Sequence, residues 1–159
     1  GGDTGQEPIR NGIKEIARIS GENSTVLMHD GNRPMVTSEI ISNSIATFNK
    51  YGSAVAAIPV VEAVFTSEDG VNAIESIPRE MLYRTQTPHV YKVLDVLSAH
   101  DEAKKKGINN TAATCTLMQE LGKNVYFSKG AETNLKITTL EDLDIFKALL
   151  FTKRDEFLH

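Results

Sequence analysis

The chain has 159 residues, 40% of them apolar and 24% charged, with a formal net charge of −4. That length suits one domain with a sizeable core, since a chain near this size hides roughly two-thirds of its unfolded surface. No long block of one charge sign indicates a nucleic-acid-binding surface, and no apolar run approaches the roughly 18 residues that a membrane span requires.

No basic start leads into an apolar stretch, so no signal peptide is read and the expected location is the cytoplasm. A first helix is predicted over about residues 7–19, with Pro8 tolerated in its opening turn and Ile9, Ile13 and Ile16 on one face. A strand over 25–28 follows, then a helix capped by Thr37 or Ser38, with Ile41, Ile45 and Phe48 at core spacing and Gly52 beyond its end. Residues 54–61 are almost continuously apolar, which predicts a central parallel strand covered on both faces and a strand–helix–strand unit. From 62 to 91 the alternation breaks into short β-like pieces, an expected excursion from the main sheet, with "RTQTPH" (84–89) read as an extended turn held by Pro88. Helices are predicted over 91–103, with Val93, Leu94 and Leu97 inward, and over 111–121, then strands over 125–127 and 135–137. A last helix opens on a capping box, Thr139 with Asp142, and carries Leu143, Phe146, Leu149 and Leu150. The fold class is α/β. The single cysteine, Cys115, is expected in packing rather than in redox or nucleophilic work.

In open α/β sheets ligands gather beyond the carboxyl ends of strands, and "HDGNRP" (29–34) sits at such an end. Asp30 can hold a hard cation such as Mg²⁺ through oxygen, and Arg33 can clamp a phosphate. An Asp and an Arg that merely tie down the turn before the Thr37 cap explain the same residues equally well. His29 is expected to pack or hydrogen-bond rather than catalyse. Alternation along 135–137 places Asn134 and Lys136 on one side of a strand, where lysine suits phosphoryl oxygens but is also common on a solvated edge. Arg79 either binds an anion reaching in from a neighbour or is solvated on its loop.

Taken together, "HDGNRP", "LYRTQTP" and "NLKITTLEDL" closely resemble, in order and spacing, the cytidylyltransferases that activate polyol phosphates with CTP. These are the methylerythritol phosphate enzyme of isoprenoid synthesis and the ribitol phosphate enzyme of teichoic-acid synthesis. "GGDTGQEPIRNGI" at the start is similar to another segment of that family. The resemblance implies a Rossmann-like nucleotidyltransferase fold, a mostly parallel sheet flanked by helices, with a protruding β-arm over about 62–87 that embraces a second subunit in a homodimer. It implies CTP and a polyol phosphate as substrates, Mg²⁺ as cofactor and pyrophosphate as product. Carried over by motif, Asp30 is the acid at the metal and acceptor, and Lys136 steadies the phosphates. Gly2 and Asp3 meet the cytidine ribose; Arg79 reaches the acceptor phosphate in the partner subunit, beside Arg33.

The departures are as specific as the matches. The family opens with a strand and a Gly-rich loop that cradles the triphosphate, and this chain begins after that point, so residues 1–159 are expected to be the C-terminal two-thirds of one cytidylyltransferase domain, inactive alone. Gly5 and Pro8 stand where arginine and serine are usual, Ala63 replaces a threonine of the arm, and Ala113 and Thr114 replace an aspartate and its neighbour. An altered acceptor is expected from these changes. Extended "LYRTQTP" points to the ribitol phosphate branch and "AAIPV" to the methylerythritol phosphate branch, so the acceptor stays open. A noncatalytic dimeric binding or assembly module built on the same fold is the second reading.

Overall fold

Ile9, Ile13 and Ile16 recur at helical spacing, and they lie on α1 (Gln6–Ser20) in the computed structural model, which describes residues 6–108, 111 and 113–156. Ile13 is buried, with Ile9 and Ile16 packed beside it against the core. The chain continues through β1 (Thr25–Met28), α2 (Ser38–Tyr51), β2 (Ala54–Pro59), β3 (Val64–Thr66), β4 (Glu75–Ile77), a 3₁₀ turn at Arg79–Met81 and β5 (Tyr83–Lys92). It ends with α3 (Val93–Lys106), α4 (Thr114–Glu120), β6 (Phe127–Lys129) and α5 (Leu140–Glu156).

Four strands form the main sheet in the order β1-β5-β2-β6. The pairings of β5 with β1 and β2 are antiparallel and that of β2 with β6 is parallel, so β1, β2 and β6 all run one way. The strand–helix–strand unit therefore exists, but β5 lies between its two strands rather than leaving them adjacent. β2 is apolar throughout because both faces are covered, and Ala54 to Ile58 are buried. On one side Val26, Val55 and Tyr91 join α1, α3 and α4 in a core with Val93, Val96, Ala99, Leu117, Met118 and the buried Cys115. Against β2, β5 and β6 lies α2, whose buried stripe is Ile40 and Ser44. That stripe differs from the expected one: Ile45 is exposed, and Ser44 reaches the core by a 2.9 Å hydroxyl pair with Ser128 on β6. In α3 likewise Leu94 is exposed, because the inward stripe runs Val93, Val96, Ala99, His100 and Ala103.

The excursion is the two-stranded hairpin of β3 and β4 with the following 3₁₀ turn, and it is shorter than the expected 62–87. Residues 84–89 are not a turn but the middle of β5. Pro88 is tolerated in this inner strand for two reasons. Pairing with β1 stops at Met28 opposite His89, and a bulge against β2 lets the register pass from Val55–His89 to Ala57–Thr85, leaving Gln86, Thr87 and Pro88 outside the ladder. Predicted strand 125–127 lies two residues later, at β6, and predicted strand 135–137 is a loop.

Candidate active site

The bulge in β5 and the end of β1 open one pocket of about 470 Å³, lined on its polar side by His29, Asp30, Arg33, Gln86, Thr87 and Lys136 and on its apolar side by α1. At its centre Asp30 Oδ2 meets Arg33 Nε at 3.1 Å and Lys136 Nζ at 3.3 Å. The two residues that sequence spacing sets 106 positions apart thus share one carboxylate oxygen. Arg33, its side chain only 11% exposed, also donates from Nη1 to the Asn134 carbonyl at 2.8 Å and so ties the two loops together. Lys136 lines the pocket and keeps 45% of its side chain exposed.

His29 and Thr87 fix the turn beneath. His29 Nε2 lies 2.9 Å from the Arg33 carbonyl, an acceptor only, so that nitrogen carries the proton. Its Nδ1 is 3.0 Å from Thr87 Oγ1, which accepts the Asp30 N–H at 2.9 Å. The histidine is a hydrogen-bonding staple, as its sequence context suggests. Burial works to raise the Asp30 pKa, but the hydrogen bonds and charges of Arg33 and Lys136 outweigh it and hold the carboxyl below its ordinary value. Asp30 is therefore ionised at neutral pH. Deeper in the pocket, burial pushes His89 down to about 4 against the opposing pull of Asp30, so its ring is neutral.

The other sequence-selected residues are placed less centrally. Arg79 lies on the 3₁₀ turn, donates from Nη1 to the Val61 carbonyl at 2.9 Å, and does not line the pocket of its own chain. Gly2, Asp3 and Gly5 lie outside the described residues. Pro8, Ala113 and Thr114 do line the pocket, and Ala63 is exposed before β3. Asn134, expected beside Lys136 on a strand, is instead fully buried. Sequence reasoning missed Gln86 as a site residue and assigned Thr87 no contact there; only a bulge, which has no local signature, turns them into the pocket. Among the described residues no group of three or more His, Cys, Asp or Glu side chains can hold a metal. Among the described residues Asp30 is the single acid lining the pocket, and one carboxylate would suit a Mg²⁺ ion that took its other ligands from phosphate oxygens and water.

The family model "2-C-methyl-D-erythritol 4-phosphate cytidylyltransferase", IspD, matches residues 1–152. The ribitol-5-phosphate cytidylyltransferase of Lacticaseibacillus paracasei is 36% identical over 155 residues, covering 96% of this chain and 66% of that protein. The 2-C-methyl-D-erythritol 4-phosphate cytidylyltransferase of Clostridium botulinum strain 657 is 35% identical over 150 residues, 94% of this chain and 64% of that protein. Among solved structures, the 2-C-methyl-D-erythritol 4-phosphate cytidylyltransferase of Thermus thermophilus superposes with a TM-score of 0.80 at 29% identity over 94% of this chain and 71% of the other. The chain spans just under two-thirds of the length of these curated relatives.

Proposed function

Because this chain belongs to the IspD family of cytidylyltransferases, we propose that it carries the acceptor side of a site that transfers CMP from CTP to a polyol phosphate. The acceptor is ribitol 5-phosphate or 2-C-methyl-D-erythritol 4-phosphate, the two substrates named in its relatives. A phosphate oxygen of the acceptor attacks the α-phosphorus of CTP, the bond from that phosphorus to the bridging oxygen breaks, and pyrophosphate leaves. Such a reaction asks the protein mainly for positioning and charge stabilisation.

The single observation that carries this reading is the convergence of Lys136 and Asp30 on one pocket, with the ammonium at 3.3 Å from the carboxylate. Lys136 supplies a compact positive charge for the phosphoryl oxygens as negative charge shifts to the leaving group. Asp30 orients that ammonium and offers an oxygen to Mg²⁺, which when bound neutralises phosphate charge. Arg33 holds the Asp30 and Lys136 loops in register, lines the pocket, and is proposed to meet the acceptor phosphate there. Gly2 and Asp3 are proposed for the cytidine ribose. Arg79 is proposed to serve the pocket of a second copy, in a homodimer built through the β3–β4 hairpin.

The test is pyrophosphate release by the intact protein with CTP, Mg²⁺ and a panel of polyol phosphates. Release is expected with one of the two named acceptors and with CTP over ATP, GTP and UTP. No release with any acceptor, from protein that still self-associates, favours the noncatalytic module.

A further inference from the structure

Lys136 stands in a loop that no strand ladder holds. Its backbone is fixed from both sides instead. On the C-terminal side Ile137 and Asn32 exchange two hydrogen bonds, Ile137 N–H to the Asn32 carbonyl at 2.8 Å and Asn32 Nδ2 to the Ile137 carbonyl at 2.9 Å. On the N-terminal side Arg33 holds the Asn134 carbonyl, as above, and a second side chain, Gln86, anchors the loop further back. Its Nε2 donates to the Ala131 carbonyl at 2.8 Å, while its Oε1 accepts the Ala131 N–H at 3.2 Å and Asn134 Nδ2 at 3.3 Å. The amide thus replaces a missing strand neighbour, pairing with Ala131 as a peptide group would.

Both amides are locked in orientation. Gln86 Oε1 faces an N–H and its Nε2 a carbonyl, so a flip would set like against like. Asn134 Nδ2 faces two acceptors, Gln86 Oε1 and the Thr87 carbonyl at 2.8 Å. Asn134 Oδ1, buried, has no donor among the described residues, a cost the fold bears to keep Nδ2 where it is. Gly130 completes the frame: a Cβ there would come 2.6 Å from Gln86 Oε1 and 3.1 Å from the Ala57 carbonyl. Gln86 itself is 6% exposed, and its Oε1 accepts from Ala131 and Asn134, so its oxygen is committed to the loop.

We infer that Gln86 is a positioning residue: through Ala131 and Asn134 it sets where the Lys136 ammonium stands relative to Asp30. The catalytic meaning rests on the reading of Lys136 above, but the placement does not, and the experiment separates the two. Carbon-detected NMR titration of the Asp30 carboxyl in the intact protein reports on the nearby ammonium whether or not CTP is a substrate. In Lys136→Ala the titration moves to higher pH, because a charge that favours the carboxylate is removed. Gln86→Leu is expected to move it in the same direction and to add nothing in the double variant with Lys136→Ala. Gly130→Ala, which crowds the same amide without adding charge, is the alternative where Gln86→Leu does not fold, and it is judged by the same non-additivity.

In turnover, Gln86→Leu is expected to lower kcat roughly tenfold or more with KM for CTP within about twofold, and to change kcat little in a Lys136→Ala background. An Asp30 titration unmoved by Gln86→Leu, or a shift that simply adds to that of Lys136→Ala, overturns the inference. Absent turnover with the NMR result intact overturns the reaction and leaves the placement standing.

Discussion

His89 lies in the pocket with Asp30 and Arg33 facing it, one favouring its protonation and the other opposing it, and burial dominates both. With a folded value of about 4 against an ordinary 6.5, the folded state binds fewer protons than the unfolded chain. The stability it protects is whole above pH 6.5 and declines as pH falls toward 4, by about 3 kcal/mol across that window. Urea unfolding at pH 7 and pH 4.5 is expected to show a smaller loss in His89→Gln than in the parent; equal losses would place the acid sensitivity elsewhere. At this scale the sequence named Asp30, Arg33 and Lys136 because charged side chains at loop ends are visible as residue types. It did not reveal Gln86, Thr87 and the burial of Asn134, since their roles follow from a bulge opposite Val55 and Ala57 that depends on a strand far away in the chain.

The ends of α2 and the start of α5 were the most legible, because their signals are local, whereas α3 runs three residues past its expected end to a cap at Gly107 and α4 starts three residues later than expected. Thr37 is the N-cap of α2, its Oγ1 accepting the Ile40 N–H at 3.3 Å, and Gly52 closes the helix in the left-handed region at φ 85°. Asp142 Oδ2 accepts the Thr138 and Thr139 N–H groups while Thr139 Oγ1 accepts the Asp142 N–H, the reciprocal box expected at α5. Thr37→Ala is expected to cost about 1 kcal/mol in chemical denaturation and Thr37→Ser a few tenths, whereas equal losses would argue against the capping bond. Strands were less legible. Residues 134–137 alternate polar and apolar, but alternation makes a strand only where an edge is available, and here the Asn134 N–H turns back to the Ala131 carbonyl, Arg33 takes the Asn134 carbonyl and Asn32 takes both backbone groups of Ile137. Residue 125 looks more strand-like than 129, yet pairing with β2 selects Phe127–Lys129, with Ser128 inward against Ser44 and Phe127 outward against Tyr83 at 5.0 Å.

At the scale of the molecule, the α/β class and the run of elements from α1 to β2 follow from the sequence, while β5 does not: its middle reads as a turn, and its place between β1 and β2 is an antiparallel insertion that leaves no trace in chain order. The hairpin exposes Val61, Phe65, Val71, Ile74 and Met81, the last 78% accessible. These exposed apolar side chains are the surface through which the homodimer is proposed to form. Sedimentation equilibrium of the parent is expected to give a dimer and of Val71→Asp with Met81→Asp a monomer that keeps its far-UV circular dichroism; a parent that sediments as a monomer would remove Arg79 from the proposed site.

Asp30 and Lys136 are proposed to serve one phosphoryl-transfer site. The most direct measurement of this is kcat for pyrophosphate release from CTP, with the preferred acceptor, in the intact parent, Asp30→Ala and Lys136→Ala. A loss of about 10²–10³-fold is expected in each variant with folding intact. Turnover in both variants within about twofold of the parent, from equally folded protein, would contradict it.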